Sequence, residues 1–328
     1  MEKILVTLGV IVASLGVGYG VQRLVLGGRL RLSGELDVLR RRIQSVAQFG
    51  LMPLSAMLSI WGLPAPDTHL LALPLLGACS WVAGAGLGVL AARLLRLDGA
   101  QTGSMLCCGS LTNIGGVGSL VCVVFLGEQA IALAALYRMC EDIFFFGMIC
   151  PAARYYAATG PRGSEGFRPG RIVRQLLHDK VLRLILGALL LGVALNAAQA
   201  PRFPGAGVMA SACMLAATVL LLVGIGMGLR LARLHKYTRQ WMAMAVIKFL
   251  LLPGLMVSLA LLLGFAHVDG GLPLRVVLVV SAMPVAMNAL IPPSLFGLDL
   301  DLANACWVWS TAALIVVVPV LALLLRWV

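Results

Sequence analysis

The sequence predicts an all-α polytopic membrane protein: ten transmembrane helices in two inverted five-helix repeats, with interrupted helices at the fourth position of each repeat. Three observations carry this. The 328 residues are 61% hydrophobic and only 12% charged, where a soluble domain holds about 25% charged residues. The apolar residues fall into ten runs on the scale of about 20 residues that a membrane crossing needs. Basic residues crowd alternate connections between those runs, as the positive-inside rule requires of a polytopic chain.

The ten segments, in order, are Ile4–Leu26, Val46–Trp61, Leu70–Leu95, Gly103–Leu126 and Ala130–Ala152, then Val181–Ala198, Ala206–Leu229, Trp241–Phe265, Leu274–Phe296 and Leu302–Leu325. Segment 1 is longer than the apolar core of a signal peptide and reads as a retained span. Before segment 2, Leu32, Leu36, Leu39 and Ile43 share one helical face beside Arg40, Arg41 and Arg42. That stretch is either an interfacial helix or a cytoplasmic extension of segment 2 with snorkelling arginines. The connections after segments 1, 3, 5 and 7, together with Arg93 and Arg183 at the adjoining segment ends, place eighteen Lys and Arg residues on one side, against four on the opposite side (Lys3, Arg202, Arg275 and Arg326). Both termini are therefore expected outside and the central loop in the cytoplasm. The net charge of +12 is mostly this topological signal. It points to anionic lipid as a contact and excludes a nucleic-acid partner, since no basic domain is present.

The central basic loop, residues 153–180, divides the chain into residues 1–152 and 181–328. Five segments precede it and five follow. An odd number in each half makes the second half enter the membrane from the opposite side, the inverted repeat of many secondary carriers. Segment 4 contains "SLTNIGGVGSLVCVVFLGE" and segment 9 contains "SAMPVAMNALIPPSLFGLD". Each begins at a Ser, carries an Asn among helix breakers, and ends near an acid, Glu128 or Asp299, placed to cap the next helix. Gly115, Gly116 and Gly118 weaken segment 4; Pro284, Pro292 and Pro293 interrupt segment 9. A broken helix exposes N–H and C=O ends that lipid cannot satisfy, so such breaks are buried or line a wet cavity. The N-terminal ends favour anions. Asn113, Gly115, Gly116, Gly118, Pro284 and Asn288 are therefore the candidate substrate-binding residues. Tight helix packing at small residues is the competing explanation of the glycines, but it leaves the prolines unexplained.

Segment 5 carries "YRMCED" at mid-depth, and intramembrane charges are functional or paired. Arg138 is three residues from Glu141 and four from Asp142, so one helix face holds an internal pair. Lys248 in segment 8 is placed to neutralise the remaining acid. Arg138, Glu141, Asp142 and Lys248 form either a structural network or a proton- or ion-coupling group; the residues alone do not choose. His178, His235 and His267 lie at segment edges or in loops and read as solvated, Asp67, Asp269 and Asp301 as turn or cap residues, and the six tryptophans in part as an interfacial belt. Eight scattered cysteines show no metal-ligand spacing and read as small apolar filler, so no metal and no cofactor is expected. No catalytic motif is present, and the chain is not expected to be an enzyme.

"TNIGGVGSLVCVVFLGEQAIALAALY" resembles the crossover segment of the auxin efflux carrier family, Asn-x-Gly-x-x-Gly with a following Gly-Glu-x-Ala; Asn113, Gly115, Gly118, Gly127, Glu128 and Ala130 fit it. "SAMPVAMNALIPPSLFGLDLDLANACWVWSTAALIVVVPV" resembles the family's second crossover, with Met283–Pro284 and Gly297–Asp299. "LLLVGIGMGLRL" and "VIKFLLLPGL" also fit. The likeness is to bacterial members, which lack the long hydrophilic loop of plant PIN proteins. The resemblance implies a dimeric inner-membrane carrier of small organic anions such as malate or malonate. Segments 1, 2, 6 and 7 would be its scaffold; segments 3–5 and 8–10 would be a transport domain moving as an elevator. Where the family commonly has a Pro after the second motif Gly, this chain has Ser119 and Leu120, so the break in segment 4 is expected to rest on glycine alone. The alternatives are a sodium-coupled anion symporter resembling the bile-acid carriers, a membrane ligand sensor without transport, and a channel.

Overall fold

The computed structural model describes residues 2–27, 36–62, 70, 72–158, 180–228 and 234–327. The described residues are helical throughout and contain no strand, only one isolated bridge. Among them, four helices are long and apolar enough to cross a membrane: Gly9–Leu26, Leu73–Leu94, Ala206–Met227 and His235–Leu262. A bent pair, Leu300–Ala312 and Leu314–Leu324, makes a fifth. The other apolar segments are helical too, mostly in shorter pieces. Large apolar side chains such as Val208, Leu250 and Leu262 lie exposed. In water so much outward apolar surface is a liability; in lipid it is the expected exterior. The chain thus fits a membrane-embedded helical protein.

The chain divides into two compact units: 1–67 with 115–135 and 183–230, and 68–114 with 136–182 and 231–328. In the first, Glu2–Leu26 packs against Ala206–Met227. Gly18 and Gly226 permit this approach: a Cβ on Gly18 would meet the carbonyl of Val223, and one on Gly226 that of Leu15. Leu36–Val46 runs through a wide turn, Ala47–Leu51, into Met52–Trp61 without a break. Of the two readings of the arginine-rich stretch, the described part of it is thus a helical extension of segment 2. Ser55 Oγ donates to the carbonyl of Ala210 at 2.6 Å, tying this helix to segment 7. Ser119–Leu126 joins the same unit against Glu2–Leu26 and Ala206–Met227. Gly127, at φ +90°, ends that helix where a side chain would be strained. The acid beyond it, Glu128, does not make the expected helix cap. Its carboxylate pairs with Arg202, whose guanidinium also donates to the carbonyl of Leu58 at 2.8 Å. A guanidinium offers stronger, charge-assisted bonds than a backbone N–H.

In the second unit, Leu73–Leu94 packs closely on Gly99–Ser110. A Cβ on Gly84 would meet the carbonyl of Gly109, and one on Gly88 that of Met105. Asp98 caps Gly99–Ser110 by accepting from the N–H of Gln101 at 2.8 Å. Asp299 caps Leu300–Ala312 as expected, accepting from Leu302 N–H at 2.9 Å. It also accepts from the Tyr237 hydroxyl at 3.0 Å, a partner the sequence did not indicate. Trp81 and Trp307 are buried and so belong to the core, not to an interfacial belt; Trp241 stacks on Trp309 with centroids 5.1 Å apart. His235 and His267 are exposed. Asp67, His178 and most of the basic central loop lie outside the described residues.

Three helices widen by one residue per turn just before a proline. Ala47–Leu51 precedes Pro53, Phe145–Ile149 precedes Pro151, and Ile247–Leu251 precedes Pro253. A proline inside a helix lacks an N–H, and its ring collides with the carbonyl four residues back; a wider turn relieves the collision and re-satisfies the freed carbonyls.

Candidate functional site

Segment 4 does break, but ahead of its glycines. The helix Gly99–Ser110 stops at Leu111, which is extended (φ −86°, ψ 119°). Gly115, Gly116 and Gly118 lie within the wide helical turn Ile114–Gly118 that restarts the helix. The expectation that glycine makes the break is corrected: a tertiary partner holds Leu111, Thr112 and Asn113 out of the helix. That partner is the break in segment 9, where Leu272–Ser281 ends before Pro284 and a tight turn begins again at Met287. The two breaks pair antiparallel at Thr112 and Val285. Asn113 N–H donates to the carbonyl of Pro284 at 2.8 Å, and Ala286 N–H to that of Leu111 at 3.0 Å. Val285 N–H donates to Ser310 Oγ at 3.2 Å. Pro284 has no N–H to offer a helix and biases Met283 to extended backbone. Each break thus satisfies polar groups that the other frees.

Lys248 completes this crossing. It projects from the wide turn Ile247–Leu251 and is fully buried. Its ammonium donates to the carbonyl of Gly109 at 2.7 Å, the carbonyl of Leu111 at 3.2 Å and the hydroxyl of Thr112 at 2.7 Å. The Gly109 carbonyl belongs to the last turn of the helix Gly99–Ser110, where carbonyls have no helical partner, and Leu111 and Thr112 follow it in the break. An ammonium has three donors, and here all three are used. Among the described residues no carboxylate pairs with Lys248; the expected neutralisation of the remaining acid of segment 5 falls on the Asp142 side chain, outside the described residues.

The structure brings Asn113, Pro284 and Lys248 into one crossing, through the Asn113–Pro284 bond and the bonds of Lys248 to Leu111 and Thr112. The Asn113 side chain is half-buried, as is Asn288 in the turn Met287–Leu290. Gly115, Gly116 and Gly118 fall in the other unit, where the Gly116 carbonyl accepts from Thr218 Oγ1 at 3.2 Å. Arg138 and Glu141 are paired, Nε to Oε2 at 3.0 Å, with Glu141 buried. Around them segment 5 is not one helix. Gln129–Tyr137 gives way to a turn before Glu141–Phe144, and the pair bridges that turn. The side chain of Asp142 lies outside the described residues.

Gly109, Leu111, Thr112 and Ser310 were missed by reading the sequence. Thr112 stands beside Asn113 in the motif, a signal that was available. Nothing in the sequence marks the carbonyls of Gly109 and Leu111, because a backbone oxygen becomes a ligand only when its helix ends. Among the described residues no group of His, Cys, Asp or Glu is arranged to hold a metal ion. The arrangement as a whole is a buried lysine bonded to the broken end of segment 4 where it pairs with the break in segment 9, with half-buried amides at Asn113 and Asn288. No protein-family model matches the chain, and no curated protein matches it.

Proposed function

We propose that the protein is a secondary transporter of small organic anions, a carboxylate carrier of the auxin efflux carrier type with ten spans in two inverted repeats. The observation that supports this reading most is the crossing of two interrupted apolar segments with a fixed ammonium at its centre. A buried cation raises the local potential for an anion, and the half-buried amide of Asn113 follows Thr112, which bonds Lys248, in the chain. Interrupted helices at corresponding places of two halves are the usual location of a carrier's substrate site. The contact units lend partial support to a scaffold and a mobile transport domain: segments 1, 2, 6 and 7 fall in one and segments 3 and 8–10 in the other, while segments 4 and 5 are shared. In this reading the chain is a dimer in a bacterial inner membrane with its termini outside.

Counterflow in proteoliposomes tests the proposal, with a panel of labelled mono- and dicarboxylates, with and without sodium. Saturable exchange of a carboxylate by the wild type is expected, with loss of at least tenfold in affinity in Asn113→Ala while that variant still inserts and folds. Unchanged affinity in folded Asn113→Ala removes Asn113 from the site. No exchange of any carboxylate by folded protein sinks the carrier reading in favour of a ligand sensor. Linear flux without counterflow would mark a channel instead.

A further inference from the structure

The surroundings of Lys248 are those of a monovalent cation. Its three partners are neutral oxygens: two main-chain carbonyls at a helix end and one hydroxyl. Rings of such oxygens replace the hydration shell of alkali ions in channel filters, and carbonyls at interrupted helices coordinate the coupling ion in secondary carriers. A divalent ion would require carboxylates, and none is within reach among the described residues. The oxygens are also held in place without Lys248. The Leu111 carbonyl is fixed by its bond from Ala286 N–H, the main chain that carries the Thr112 hydroxyl by its pairing with Val285, and Gly109 by its packing on Gly84.

We propose that the carbonyls of Gly109 and Leu111 and the hydroxyl of Thr112 form a monovalent-cation site that the chain fills with its own Lys248 ammonium. A tethered cation binds intramolecularly, with a high effective concentration, and is not diluted into solvent when it lets go. The wild type therefore takes up no alkali ion here. Removing the side chain opens the site to a free cation of the same class, with n-propylammonium replacing the atoms that Lys248→Ala deletes. The consequence for transport rests on the carrier reading: anion movement is sodium-independent in the wild type and gains a cation requirement in Lys248→Ala.

The experiment reads the site apart from transport. Full-length wild type, Lys248→Ala and Lys248→Met, grown and purified with n-propylammonium, are exchanged into equal concentrations of N-methylglucamine, n-propylammonium, potassium or sodium chloride, and their melting midpoints are measured. Lys248→Ala is expected to melt several degrees below wild type in N-methylglucamine and to recover most of that loss, saturably, in n-propylammonium, with potassium or sodium giving part of it. Lys248→Met keeps the aliphatic stem, leaves no room for the amine, and is expected to melt alike in all four salts, as is the wild type. The proposal is overturned if Lys248→Ala melts alike in all four, if Lys248→Met recovers equally, or if Lys248→Ala fails to accumulate even with the amine present throughout. A clean recovery combined with no carboxylate counterflow would retain the cation site and discard the carrier.

Discussion

At Thr112 a side chain does what the backbone cannot. Its hydroxyl accepts from the Lys248 ammonium at 2.7 Å while its main chain is extended against Val285. Thr112→Val keeps the shape and the preference for extended backbone but deletes that acceptor. A hydrogen bond to a charged group is worth about 1.5–3 kcal/mol, and the loss is expected in this range, since Lys248 is fully buried. Thr112→Ser is expected to retain most of the stability. Denaturant or thermal unfolding of the two variants beside wild type checks this; equal losses in Val and Ser would mean that the methyl group matters and the hydroxyl does not. Lys248 itself was visible in the sequence as a charge inside an apolar run. Two of its three partners were not, because they are main-chain carbonyls.

Among the elements, the helix Leu73–Leu94 carries the sharpest contrast. Gly84 and Gly88 face the helix Gly99–Ser110 with no room for a Cβ, whereas Gly86 on the same helix has nothing within 4 Å. Gly84→Ala is expected to cost about 1–3 kcal/mol, since the obstacle is a main-chain carbonyl that cannot rotate away. Gly86→Ala is expected to be neutral or to gain up to about 1 kcal/mol from helix propensity. Melting midpoints of the two variants decide it, and a loss at both would mean that the helix pair is not packed as described. The glycine content of segment 3 was legible in the sequence; which glycines touch a neighbour was not, since that depends on the rotation of one helix against another. The wide turns before Pro53, Pro151 and Pro253 show the opposite case. The proline announces a disturbance one turn upstream, and its location follows from steric rules within a single helix.

For the molecule as a whole, the outward apolar side chains and the distribution of arginines make the membrane the relevant solvent. The proposed topology puts the central loop in the cytoplasm and the C-terminus outside. A green fluorescent protein fused after Val328 is expected to be dark when exported by the general secretory route, and one inserted at Gly163 bright; the reverse pattern would invert the proposed sidedness. The two contact units are also a property of this scale. Segments 4 and 5 read in the sequence as belonging wholly to one transport domain, yet residues 115–135 group with segments 1, 2, 6 and 7. Sequence position could not show this, because an interruption lets the two halves of one segment pack in different surroundings.

The sequence by itself determined that the chain is helical, that it is built of apolar segments with basic connections, and that segments 4 and 9 are interrupted. Those features follow from composition, from the length of each run, and from residues that a helix in lipid tolerates poorly. It also determined the local pair Arg138–Glu141 and the cap at Asp299, which need only neighbours in the chain. The tertiary structure alone decided that segment 4 breaks at Leu111–Asn113 ahead of its glycines, that Glu128 turns to Arg202, and that Lys248 holds the broken end of segment 4. Each of these depends on a partner far away in sequence. A main-chain carbonyl has the same formula at every position, and only the fold selects which ones lose their helix and must find another donor.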